Sequence, residues 1–132
     1  MTALLFGNAF AEDRSMITVY SEPRSHIYSE RDLLKNWVLS ICLANISRDG
    51  SETRHDAARS AWGYFEFSNI SLEERDELVP LIMKVIAEKN SRLNDGDAEL
   101  SELNTMKCID LFHSARLDGI VARMLKERGN RQ

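Results

Sequence analysis

The densest set of oxygen ligands in the chain lies between Asn45 and Asp56. Asn45, Ser47, Asp49, Gly50 and Asp56 fall at positions 1, 3, 5, 6 and 12 of an EF-hand calcium loop, with helical sequence on either side. The set is short of carboxylate: Asn stands where the loop opens on Asp, Asp stands where a bidentate Glu closes it, and Glu52 occupies an apolar position. The stretch therefore reads as a helix ended by Gly50 and a second helix capped by Ser51. The acidic residues Asp95, Asp97, Glu99 and Glu102 invite a cation or a basic partner, but acids around a helix start are what the helix dipole favours, and they read as a solvated face.

His26, His55 and His113 show no His-x-x-x-His spacing, and the two cysteines, Cys42 and Cys108, no Cys-x-x-Cys, so zinc has no local signature. Cys42 with a histidine would be a thiol–imidazole pair, but both cysteines fall on apolar helix faces, where a free cysteine behaves as a small hydrophobe. The expectation is two reduced, inert thiols in a reducing cytoplasm. Glycine-rich phosphate loops, nucleophile elbows and paired-carboxylate motifs do not occur. No catalytic residue, cofactor site or metal site is assigned, and the chain reads as a non-enzyme.

Recognition is the remaining chemistry. A helix-turn-helix reading of the first two helices puts Ser51-Glu52-Thr53-Arg54-His55-Asp56 at the start of the recognition helix, one arginine against two acids. Arg116, Arg123, Lys126 and Arg128, with Arg131, make a better phosphate-binding set. A net charge of −4 argues against general nucleic-acid binding, which takes most of its affinity from cations on phosphates.

The elements that must position these residues are helical. At 132 residues, with 43% hydrophobic and 29% charged content, the chain suits one globular domain over 1–132 with a core that needs no staples. The central element runs from Ser29 to Gly50. Leu33, Leu34, Trp37, Val38, Ile41 and Ala44 share one face, while Leu39, Cys42, Leu43 and Ile46 cover most of the other, the pattern of a buried helix. Its apolar run is far shorter than the roughly 20 residues a membrane span requires. Ser51 starts a second helix to about Phe67, with Ala58, Ala61, Trp62 and Phe65 at core spacing. Ser71 and Glu74 form a capping box for a third, whose stripe of Leu78, Ile82, Val85 and Ile86 persists across Pro80 and fades by Leu93.

Leu100 and Leu103 suggest a short helical turn, out of phase with Cys108, Leu111, Phe112 and Ala115, so a break falls near Asn104. Asp118 opens a last helix carrying Leu117, Ile120, Val121, Met124 and Leu125. Residues 1–28 form a short β-hairpin or an extended arm. Ala9-Phe10-Ala11 has the shape of a leader cleavage site, but no basic residue precedes it and Ala3 to Phe6 is a short apolar region, so it is not read as a leader. The fold class is mainly α, a compact bundle of about five helices.

Without a catalytic constellation, and with more apolar helix surface than one core face needs, the functional reading is a protein-binding module. It would act by sequestering or masking a protein partner, as a small inhibitor, an immunity-type factor or a regulatory adaptor. Ala57, Tyr64 and Phe67, flanking the expected core face of the second helix, are the contact surface for that partner or for a second copy in a homodimer. The alternative is a small DNA-associated regulator using Arg116, Arg123, Lys126 and Arg128.

Overall fold

A serine starts four of the five described helices of the computed structural model, which describes residues 27–88 and 103–131. The helices are α1 (Glu30–Ile46), α2 (Glu52–Ser68), α3 (Leu72–Ala87), α4 (Asn104–His113) and α5 (Ala115–Asn130). The N-terminal hairpin or arm with its cleavage-like tripeptide, His26, Leu93, Leu100 and the acidic stretch from Asp95 to Glu102 lie outside the described residues.

The Oγ atoms of Ser29, Ser51, Ser71 and Ser114 each accept a hydrogen bond of 3.1 Å from the backbone N–H three residues on, satisfying an amide that the helix itself leaves unpaired. At α3 the cap is reciprocal, because Glu74 Oε1 also accepts from the Ser71 N–H at 2.9 Å. Helix α2 ends at Asn69 and the turn after α1 contains Gly50, both with positive φ. Helix α3 continues through Pro80, which faces solvent.

The last helix begins earlier than the sequence suggested. Ser114 is extended, accepts from the Leu117 N–H and donates its own hydroxyl to the Leu111 carbonyl at 2.8 Å, so one residue ends α4 and caps α5. Asp118 lies in the first turn of α5 instead of opening it. Leu103, entering α4, adopts a left-handed conformation at φ 55° and is not part of a helical turn.

Helix α1 packs against each of the other four helices, as its two-sided apolar pattern requires. Leu34, Trp37, Val38 and Cys42 meet Ala61 of α2, Leu78, Leu81 and Ile82 of α3, Leu111 of α4, and Leu117, Val121 and Met124 of α5 in one buried cluster. Helix α2 packs mainly on α1, and its outer side carries no comparable neighbour among the described helices. None of these helices is long and apolar enough to cross a membrane.

The expectation of two free thiols is overturned. Cys42 of α1 and Cys108 of α4, both fully buried, form a disulfide across 66 residues of chain. Their Cα atoms are 5.7 Å apart, inside the range a disulfide spans without distorting the backbone. The burial expected of both cysteines holds. The reduced state does not, and with it goes the argument for a reducing cytoplasm.

Candidate protein-binding surface

Helix α2 has two adjacent apolar stripes, and packing selects the one with small residues. Ala57, at 8% exposure, and Ala61 face the bundle, with Ser68 buried on the same side. Small side chains let two helix backbones approach closely, whereas a tryptophan at that position would hold them apart. The remaining stripe is turned outward: Ala58 is exposed and Trp62 is 66% exposed.

The roles expected on this helix are therefore largely exchanged. Of the core face read from spacing, Ala61 is buried, Phe65 is half-buried against the core, and Ala58 and Trp62 face solvent. Of the expected contact surface, Ala57 is core. Tyr64 is half-buried against the cluster, its ring edge-to-face with Tyr28 at 6.4 Å, and its carbonyl accepts from the Ser68 hydroxyl. Phe67 is half-buried. The three do not form an open patch.

What lies open is a groove of about 450 Å³ between α1 and α2. Trp37, Ala44 and Ala61 are its buried floor. Ile41, Ala58, Phe65 and Trp62 are its sides, with the Trp62 and Phe65 rings edge-to-face at 5.8 Å. Among the described residues its charged lining is two arginines and no acid. Arg54 is held at the C-terminal end of α1, where its Nη1 donates to the Ala44 and Ser47 carbonyls at 3.4 Å and meets Asp49 at 3.1 Å. Arg75, in the first turn of α3, is exposed and makes no ion pair among the described residues.

The phosphate-binding reading of the last helix does not survive the ion pairs. Arg128 closes a bidentate pair with Glu74, Nε to Oε2 at 2.8 Å and Nη2 to Oε1 at 2.7 Å, and its Nη1 donates to the Ser68 carbonyl at 2.9 Å. Burial by itself raises the Glu74 pKa. The bond from Arg128, then the Ser71 amide, outweigh it and hold the carboxyl below its ordinary value. Arg123 is paired with Glu77 and with Glu127. Only Arg116 and Lys126 of the four candidates are without an ion pair among the described residues, and two exposed cations interleaved with acids do not make a phosphate track.

A buried lysine is structural as well. Lys35 of α1 reaches Asp118 at 2.9 Å, its Nζ lies 4.5 Å from the centre of the Phe112 ring, and Arg31 meets the same Asp118 oxygen at 3.0 Å. Hydrogen bonding from Lys35 first and Arg31 second lowers the Asp118 pKa. Of the would-be calcium ligands, Asn45 and Ser47 donate back to the Ile41 and Leu43 carbonyls and Asp49 meets Arg54; among the described residues no three His, Cys, Asp or Glu side chains are grouped to hold a metal.

A small helical bundle whose Lys35, Arg123 and Arg128 close its own joints and whose surface leaves an aromatic groove open has the form of a protein-binding module. Residues 32–121 match the family model of Tai4, the type VI secretion system (T6SS) amidase immunity protein, and the chain belongs to that family. It is similar to a chain in the solved structure of the effector–immunity system Tae4/Tai4 from Salmonella typhimurium, in its selenomethionine variant. The identity is 35%, the likeness covers 74% of this chain and 91% of that one, and the TM-score is 0.61. No curated protein matches the chain. The protein is thus an immunity-type inhibitor that works by binding a protein partner, and it is not an enzyme.

Sequence reasoning missed Trp62, Ala58, Arg54 and Arg75 as a surface. One signal was present: Ala57 and Ala61, four apart, put two small side chains on one side of α2, where a neighbouring helix can come close.

Proposed function

We propose that this chain binds and blocks an amidase effector of the Tae4 kind, and that it does so in an oxidising compartment. The match over residues 32–121 carries the first part, since it spans α1 through α4 and the first half of α5 and so includes the whole α1–α2 groove. The Cys42–Cys108 bridge supports the second, because such bonds persist where thiols are not kept reduced. An inhibitor of this type contributes no bond-making group. It occupies surface that the amidase needs for its substrate, and its effectiveness is set by affinity and lifetime of the complex.

The test is calorimetric titration of the oxidised protein into the Tae4-class amidases of the organism that carries it. A saturable heat with sub-micromolar affinity for one of them is expected. No binding to any of them at tens of micromolar would overturn the reading.

A further inference from the structure

The α1–α2 groove differs from the rest of the surface in composition and in charge. Tryptophan is among the most buried residues on average, yet Trp62 stands 66% exposed beside Phe65, over a floor made by Trp37, Ala44 and Ala61. The chain as a whole carries a net charge of −4, while among the described residues the charged lining of this groove is Arg54 and Arg75. Arg54 is already fixed against the α1 carbonyls, so it offers its remaining donors without further ordering. Arg75, exposed and without an ion pair among the described residues, can take a carboxylate in two-point contact. All the lining residues fall within the segment shared with the immunity family.

We propose that this groove seats a segment of the amidase that presents an apolar side chain next to a carboxylate, with Trp62 as the anchor and Arg75 as the partner of the carboxylate. The proposal rests on the amidase-binding reading above and adds the place and the chemistry of the contact. Charge complementarity selects this occupant: Arg54 is already matched by Asp49, so the unmatched charge in the groove is Arg75, which repels a basic segment and which a purely apolar one would leave without a carboxylate. The aromatic pair supplies the flat, rigid area on which interface energy concentrates.

The experiment uses the full oxidised chain and the Tae4-class amidase that the wild type binds. Trp62→Ala should weaken the complex by about thirtyfold or more, the loss expected for an interface anchor. Arg75→Glu should weaken it by about tenfold, and the gap between wild type and Arg75→Glu should narrow as salt is raised. Arg116→Glu, an exposed charge on α5 outside the groove, should bind as the wild type does.

Both α2–α3 variants replace exposed side chains, so circular dichroism and melting temperature should stay at wild-type values. Wild-type affinity in Trp62→Ala and Arg75→Glu overturns the groove while leaving the amidase reading intact. A fall of several degrees in the Trp62→Ala melting temperature with unchanged binding would show a segment of this same chain covering the groove, and overturns it. A change of oligomeric state with unchanged amidase binding would assign the groove to a second copy, and also overturns it. If the wild type binds no amidase, the functional reading falls first and this one with it.

Discussion

Opening the Cys42–Cys108 bridge is the perturbation whose cost follows most directly from the chain path. The bond joins residues 66 apart, and in the chain-entropy account a closed loop of that size removes enough freedom from the unfolded chain to stabilise the fold by about 4 kcal/mol at 25 °C. Replacing both cysteines by alanine keeps the site apolar, and the loss of two buried sulfurs adds to the cost instead of offsetting it. For a chain of this size the melting temperature should fall on the order of 15 °C. The assay is a reversible thermal melt followed by circular dichroism, comparing wild type, the Cys42→Ala/Cys108→Ala variant, and wild type reduced under denaturant. In the folded wild type neither sulfur should react with a thiol reagent. A double variant that melts within a degree or two of the wild type, or two titratable thiols in the native protein, would refute the reasoning.

Three further outcomes follow from the joints of the bundle. Trp37→Ala removes a side chain that is 3% exposed at the α1–α2 contact and should cost about 3–5 kcal/mol, read as a shift in denaturant midpoint. Arg128→Ala strips the buried Glu74 carboxylate of its bidentate partner and frees the carbonyls of the α2–α3 turn. We expect about 2–3 kcal/mol, below the roughly 3–5 kcal/mol of a fully buried pair because Arg128 keeps an edge in water. Glu74 has a folded-state pKa below its ordinary 4.5, so it binds fewer protons in the folded than in the unfolded chain. Its stability contribution is therefore complete above that ordinary value and lost as pH falls through the folded value. The Glu74→Gln variant should be less stable at neutral pH and should lose less stability than wild type on acidification below pH 4.5.

Much of this architecture is legible in the sequence because it is local. Ser29, Ser51 and Ser71 announce helix starts through hydrogen bonds made within one turn, and the two-sided apolar pattern of α1 identifies the helix that the others surround. What escaped is non-local. Periodicity cannot choose between two neighbouring apolar stripes on α2; the choice is made by α1, against which Ala57 and Ala61 fit and Trp62 does not. The pairing of Cys42 with Cys108 depends on α1 and α4 crossing at 5.7 Å between Cα atoms, which no spacing encodes. Arg128 reads as one more cation of a phosphate-binding set, and its partner as fully employed in a capping box. The bundle brings Glu74 and Arg128 together across 54 positions and gives one carboxylate two tasks. Ser114 was overlooked because a single residue both ends α4 and starts α5, leaving no loop to mark the boundary.

The central claim is that this chain silences an amidase by binding it. The most direct measurement is the turnover of the Tae4-class amidase from the same organism, followed while the oxidised protein is titrated in. The account predicts a rate that falls to background as the complex saturates, with the midpoint at the dissociation constant found by calorimetry. An amidase that keeps its full rate when the protein is present in saturating excess would contradict it.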